Sequence, residues 1–327
     1  MNKHFKLFVL FIISFVSIYF AFSGASTYKI LEKLNSVDLF RIMIAVLLLI
    51  LSCVVRAYRW QILLLPFCQI PFHRVFSSTM IGYFGNGVLA FRLGELLKAN
   101  AVVKGSPVKT SQAFGTVILE RILDLIAVLI IFIITIPWFP FNDNDYSTLA
   151  YTFSFSLILI IIAIIILIKY NLLMKIKKLR IFYSGFGKKI FSEMTKVFEG
   201  VTIISQIKNI KAVITLSIFL WCLYLVISIF VLNACSINID VIELVVLFVI
   251  GSIAIGLPAL PGSIGTYDLI VTKALENLFY INHMDALNYA LVSHAVSYFP
   301  FLLIGFVYFL LSNISLSDIK KDRKIPR

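Results

Sequence analysis

Long apolar runs recur along this chain, and they constrain its fold more than any other feature. A helix of about 20 apolar residues can cross the hydrocarbon core of a membrane, because it satisfies its own backbone hydrogen bonds. The composition agrees, since 61% of the residues are hydrophobic and only 14% are charged, against about 25% charged in soluble domains. We predict an all-α polytopic transmembrane helical bundle, a single domain over residues 1–327 without a soluble catalytic domain. The clear spans are 5–23, 40–57, 113–136, 149–168, 211–232, 241–257 and 286–312.

The first span follows Lys3 and Lys6, as the apolar part of a signal peptide would. The run is long, however, and no convincing cleavage site follows it, which favours a retained helix.

The distribution of lysine and arginine predicts the orientation. These residues crowd the segment 169–210, whereas the connections 137–148 and 233–240 contain none. Cytoplasmic loops carry the excess of basic residues, so 169–210 is predicted to be cytoplasmic. The segment is either an ordinary basic loop or a helix on the inner leaflet. The basic N-terminus and the tail 313–327 are predicted to be cytoplasmic as well. The membrane is predicted to be the cell (inner) membrane.

Two cytoplasmic termini require an even number of crossings, yet the clear spans number seven. The segment 258–281 is the candidate for the eighth crossing, as a helix broken at Pro258 and Pro261. The apolar segment 75–91 lies between two basic, inward-facing ends. It is predicted to dip into the membrane and return, or to form a pair of short helices. Together with 258–281, this gives two predicted broken or re-entrant segments, near 75–100 and 258–281.

The net charge of +13 is explained by this topology. A nucleic-acid partner is not predicted, because the sequence shows neither a soluble scaffold nor base-contacting motifs. The four cysteines have no paired spacing, so neither a disulfide framework nor a metal site is expected.

Three polar clusters fall inside or beside the apolar runs, where charged groups mark a pathway or a site. In the first, the glycine-rich stretch 82–87 permits a non-helical excursion and is followed by Arg92 and Glu95, with Lys98 beyond. Arg92 and Glu95 are spaced to pair on one helical face, or Arg92 extends to the membrane interface.

The second cluster is Glu120, Arg121 and Asp124, in which the two acids are one helical turn apart. Either it is a locally neutralised helix contact, or its acids bind a cationic head group or pair with Arg92.

The third cluster runs from Pro258 to Asp268. A helix that starts near Ser263 inside the membrane would present free N–H groups, which suit a phosphate. The alternative is a kinked helix whose backbone groups are satisfied by its neighbours.

Taken in order, these motifs resemble the lysylphosphatidylglycerol synthase transmembrane region family over nearly the whole chain. The departures are Ala90, where a proline is common, Ser263 for a glycine, and Asp268 for a glutamate. The motifs are Arg56-Ala57-Tyr58-Arg59-Trp60, Arg92-Leu93-Gly94-Glu95, Glu120-Arg121 with Asp124, and Pro258 to Asp268.

The resemblance implies a flippase-like protein that translocates or presents a phospholipid or a polyprenyl-linked lipid. Membrane lipid and a separately encoded transferase are the expected partners, and no cofactor is expected. The predicted substrate-binding residues are Arg56, Arg59, Arg92, Glu95, Glu120, Arg121, Asp124, Pro261, Gly262, Gly265 and Asp268.

Two other functions remain open from the sequence. One is a membrane-embedded glycosyl or aminoacyl transferase, and the other is a non-catalytic subunit of a separate transferase. The sequence contains no GxSxG, HExxH or Walker motif, which argues against an enzyme.

Overall fold

The fold is a bundle of helices. The computed structural model describes residues 3–23, 26–89, 92–139, 207–256 and 261–312, with isolated positions between 148 and 166. Within these ranges every regular element is a helix, which confirms the predicted all-α fold. The α-helices are α1 (Lys3–Phe22), α2 (Thr27–Asn35), α3 (Leu39–Leu64), α4 (Phe72–Val88), α5 (Gly94–Val103), α6 (Thr110–Thr135), α7 (Ile210–Ala234), α8 (Val241–Gly256), α9 (Thr266–Phe279) and α10 (His283–Leu311).

Helices α3, α7 and α10 have the length and hydropathy of membrane-spanning segments among the described residues. The 26 residues of α3 reach about 39 Å at about 1.5 Å per residue, which exceeds a hydrocarbon core of about 30 Å. This helix continues to Leu64, beyond the predicted end at residue 57. Arg56 and Arg59 therefore both lie within the helix, and the predicted orientation of its ends stays a prediction. Most of the predicted span 149–168 and most of the segment 169–210 lie outside the described residues, so the count of eight crossings stays a prediction.

Helices α3 and α7 pack against each other in an antiparallel arrangement. Asp38 caps α3 by accepting from the backbone N of Arg41 at 3.2 Å. The Arg41 side chain then donates to the carbonyl oxygen of Asn233, at the end of α7, at 2.7 Å. Near the other end of the pair, Arg59 donates to the hydroxyl of Ser217 at 3.0 Å.

The predicted re-entrant segment 75–91 begins within α4, which packs against α5 as a helical hairpin. The expected non-helical excursion at the glycines is wrong, because Gly82 and Gly85 lie within α4. The chain leaves the helix only at Leu89, and Arg92 adopts a left-handed conformation with φ 52°.

The glycines have a packing role in this hairpin. A Cβ atom on Gly85 would lie 2.6 Å from the Cα of Gly94, and one on Gly82 would lie 2.8 Å from the Cβ of Lys98. Both distances are shorter than real side-chain contacts, so only glycine lets α4 and α5 approach this closely.

The bundle has two main apolar clusters with a polar layer between them. One joins the first half of α3 to α7, α8, α9 and α10, and the other joins the second half of α3 to α5 and α6. Along α3, Arg56 lies between Leu49 of the first cluster and Trp60 of the second. The polar layer therefore crosses the interior of the bundle.

Candidate functional site

Seven ionisable side chains meet in this layer, at the junction of α3, α5 and α6. Helical spacing brings them together, because residues three or four apart share a face of a helix. Glu120 and Asp124 do share a face of α6, as their spacing predicts. Arg59 and Glu120 are fully buried. The members are Arg56, Arg59, Glu95, Lys98, Glu120, Arg121 and Asp124.

Glu120 is the most enclosed acid of this charged cluster. Its Oε2 accepts from Lys98 Nζ at 2.6 Å. Its Oε1 accepts from Arg56 Nη1 at 2.9 Å and from Arg121 Nη2 at 3.3 Å. A buried carboxylate is stable only when it is paired and hydrogen-bonded, and Glu120 meets this requirement with cations from three helices.

Asp124 holds the two arginines of α3. Its Oδ2 accepts from Arg56 Nη1 and its Oδ1 accepts from Arg59 Nη2, both at 2.7 Å. The remaining nitrogens of Arg56, Nε and Nη2, donate to the hydroxyl of Tyr224 on α7 at 3.2 and 3.0 Å. Arg56 therefore joins α3, α6 and α7, and its cost of burial is offset by three partners.

The charge balance of the cluster is positive. Four cations face three carboxylates among the described residues, so one positive charge is left over. Glu120, Arg121 and Asp124 alone would carry a net negative charge, whereas the whole cluster carries a net positive charge. Cations of α3 and α5 pair with Glu120 and Asp124, and the predicted role of this cluster in binding stays a prediction.

A cavity of about 660 Å³ opens beside the cluster, between α3 and α6 to α10. Its volume falls in the usual range of ligand sites, roughly 300–1,000 Å³. Apolar and aromatic side chains such as Leu49, Trp221 and Phe248 form much of the wall. The charged side chains that line it are Arg56, Arg92, Glu95, Arg121 and Asp124.

Arg92 and Glu95 have other partners than the sequence suggests. Arg92 is exposed and donates to the carbonyl oxygen of Ile255, at the end of α8, at 2.7 Å. The Oε1 of Glu95 lies 3.5 Å from the Nε of Arg121. The predicted ion pair between Arg92 and Glu95 is therefore replaced by one contact to α8 and one to α6.

The turn that precedes α9 is held by a second polar network. Asp268 accepts from the backbone N of Gly265 at 3.0 Å and lies 2.9 Å from the Nδ1 of His294. The Nε2 of His294 lies 2.8 Å from the carbonyl oxygen of Gly262. Gly262 and Gly265 both have positive φ, 72° and 82°, which glycine adopts without strain. The network fixes the turn to α10.

This arrangement differs from the predicted phosphate site. Helix α9 begins at Thr266, after the predicted start near Ser263, and Asp268 caps it. Pro261, Gly262, Gly265 and Asp268 do not line the cavity, and Pro258 lies outside the described residues. Asp268 satisfies the N–H of Gly265 at this turn, and binding of a phosphate by the start of α9 stays a prediction.

The turn that precedes α9 nevertheless contacts a residue of the cavity wall. The hydroxyl of Ser263 donates to the carbonyl oxygen of Ile255 at 3.4 Å, and Arg92 donates to the same oxygen. Ile255 lines the cavity. The glycine-rich turn is thus linked to the charged end of the site through one backbone carbonyl.

Replacing Asp268 with alanine is expected to lower the free energy of unfolding by about 1–2 kcal/mol. The change leaves the Gly265 N–H and the His294 ring without their acceptor, and a buried polar group without a partner is costly. Unfolding by SDS in mixed micelles measures the loss.

The exposed Glu32 on α2 supplies the control, since its side chain makes no hydrogen bond among the described residues. Glu32→Ala should leave stability nearly unchanged. Equal stabilities of the two variants would contradict the anchoring role of Asp268.

Comparison with protein families gives a match over most of the chain. A family model described as the lysylphosphatidylglycerol synthase TM region matches residues 7–305. The matched range includes all four motifs that carry the resemblance in the sequence. A comparison with curated proteins gave no match.

Proposed function

Because the chain belongs to the family of the lysylphosphatidylglycerol synthase transmembrane region, we propose that it binds a membrane lipid in its cavity and moves it between leaflets. Membership indicates a membrane protein of lipid modification or translocation. The proposal adds that the lipid head group lies against the charged cluster. We also propose that the protein lies in the cell inner membrane, with both termini cytoplasmic.

One observation carries the proposal: a single cavity has charged side chains at one part of its wall and apolar side chains elsewhere. Arg56, Arg121 and Asp124 supply the charge, and Trp221 and Phe248 belong to the apolar part. A lipid has the same division between a polar head group and apolar chains. The cavity is therefore complementary to an amphiphile.

The charged cluster also offers polar groups that can replace the hydration of a lipid head group during translocation. Moving a polar head group through hydrocarbon is slow because the head group loses its hydration. Fixed charges and the hydroxyl of Tyr224 can replace part of that hydration. The cost of keeping such charges in the bundle is already met by their mutual ion pairs.

Proteoliposomes that contain fluorescently labelled phospholipids test the proposal. A membrane-impermeant reductant bleaches only the outer-leaflet label, so movement by the protein should increase the fraction bleached. Arg56→Gln should slow this movement toward the protein-free rate, and Tyr224→Phe should slow it less. Both variants are first checked for folding by circular dichroism.

Arg41→Gln is the matched control, because Arg41 lies on the same helix but is exposed and does not line the cavity. It should retain the movement of the unmodified protein. Absence of movement above the protein-free rate, with or without a proton or ion gradient, would overturn the proposal.

A further inference from the structure

We infer that the cavity selects a lipid whose phosphate gives its head group a net negative charge, and that Arg121 is the side chain that contacts this phosphate. The inference rests on the proposed function and specifies its substrate class. Three observations carry it: the distribution of ion-pair distances, the unpartnered donors in the cavity wall, and the composition of the cavity mouth.

Arg121 is the least compensated cation of the charged cluster. Arg56, Arg59 and Lys98 each have a carboxylate oxygen within 2.6 to 2.7 Å. The contacts of Arg121 to carboxylates are longer, 3.3 Å to Glu120 and 3.5 to 3.6 Å to Glu95 and Asp124. Its side chain is 33% exposed and lines the cavity. The positive charge left over in the cluster is therefore most available at Arg121.

In the wall of the cavity, the buried side-chain atoms that make no hydrogen bond are donors. Among the described residues that line the cavity, these atoms are the Nε of Arg121 and the Nε1 of Trp221. The nearest carboxylate oxygen to the Nε of Arg121 is that of Glu95, at the long distance of 3.5 Å. Both nitrogens are N–H groups that can only donate. A phosphate or ester oxygen can accept from them, whereas an ammonium group cannot. An arginine also matches phosphate geometry, with parallel N–H groups.

Two of the three carboxylates of the cluster, those of Glu120 and Asp124, are unsuited to an incoming cation, and the third, Glu95, faces Arg121 at 3.5 Å. Glu120 and Asp124 already accept from arginine and lysine nitrogens at distances below 3 Å. A cationic head group would have to displace these cations and would meet the positive balance of the cluster. Coulomb repulsion in a partly dehydrated site makes this unfavourable.

The exposed residues that line the cavity favour a lipid as the source of the phosphate. Leu125 on α6 and Ile255 on α8 line the cavity, and they are 52% and 40% exposed. Arg92, which lines the cavity too, is also exposed. An opening with apolar side chains and one cation suits a molecule whose head group enters while its chains remain in the bilayer.

Native mass spectrometry of the purified full chain in detergent micelles tests the inference. The probes are three dioleoyl lipids: phosphatidylglycerol with one negative charge, phosphatidylcholine without net charge, and ethylphosphocholine with one positive charge. We expect phosphatidylglycerol to bind with a Kd at least about tenfold below that of ethylphosphocholine, equivalent to about 1.4 kcal/mol. Arg121→Gln should reduce this preference to less than about threefold.

Three variants separate charge from folding. Arg121→Lys keeps the positive charge and should retain part of the preference, while Arg41→Gln should retain all of it. Arg92→Gln changes an exposed cation at the mouth and should lower the preference without unfolding the protein. The thermal unfolding of each variant is measured in parallel.

The outcomes distinguish the inference from the proposed function. Equal binding of the three lipids, or a preference that survives Arg121→Gln in a folded protein, would overturn the inference and leave lipid binding intact. Failure of all three lipids to bind would overturn the proposed function as well. Complete displacement of phosphatidylglycerol by inorganic phosphate at the same concentration would show a site for soluble phosphate. This result would also overturn the inference that the phosphate belongs to a lipid.

Discussion

Glu120→Ala is expected to destabilise the folded protein by about 3–5 kcal/mol, the largest effect of any single substitution in the bundle. Glu120 is fully buried and accepts from Lys98, Arg56 and Arg121. Its removal would leave four cations with only Asp124 and the half-buried Glu95, and an uncompensated buried charge is costly. Unfolding by SDS in mixed micelles measures the change in free energy.

Two further variants show whether charge or packing causes the loss. Glu120→Gln keeps the shape of the side chain but not its charge, so it should recover only a small part of the lost stability. Glu32→Ala, at an exposed position on α2, should have almost no effect. A loss below about 1 kcal/mol for Glu120→Ala would contradict the buried ion network.

Gly94→Val is expected to destabilise the protein by about 3 kcal/mol, because it forces α4 and α5 apart. A Cβ atom at Gly94 would collide with the backbone of Gly82 and Asn86 and would lie 2.6 Å from the Oδ1 of Asn86. The backbone of a packed helix cannot move aside as a flexible side chain can. Separation of the hairpin would also withdraw Lys98 from Glu120, so lipid movement in proteoliposomes should fall with stability.

Gly256→Ala is the matched control for the stability measurement. Gly256 ends α8, and a Cβ atom there would have no neighbour within 4 Å among the residues that the structure describes. This variant should unfold at nearly the same SDS fraction as the unmodified protein. Similar losses for the two glycine variants would contradict the close contact between α4 and α5.

The helical class and the shared face of Glu120 and Asp124 could be predicted from the sequence. Both follow from local spacing, since hydropathy runs indicate helices and a separation of four residues places side chains on one face. The family could also be predicted, because its motifs occur in order along the chain and the family match covers them.

The partners of these acids could not be predicted from local patterns. The apolar run predicts a span that ends at residue 57, one residue after Arg56, whereas α3 continues to Leu64. Arg56 and Arg59 entered the predicted site only through the family motif. Their burial is stabilised by α6, and contacts between distant segments leave no periodic signal in the sequence.

The glycines and histidines show the same limitation. Gly82 and Gly85 suggested a break in the helix, but they lie within α4 because α5 packs against them. His294 was one of four scattered histidines, and only the structure brings it to Asp268. Tyr224, which binds Arg56, lies in an apolar run and had no distinguishing signal.

The most direct measurement of the central claim is an electron cryomicroscopy map of the protein in nanodiscs that contain phosphatidylglycerol. The account predicts lipid density inside the cavity, with a phosphate peak in hydrogen-bonding contact with the guanidinium of Arg121 and acyl density leaving between Leu125 and Ile255. The same map from Arg121→Gln should lack the phosphate peak. A cavity without lipid density, in a map that resolves lipids on the outer surface of α3 and α7, would contradict the account.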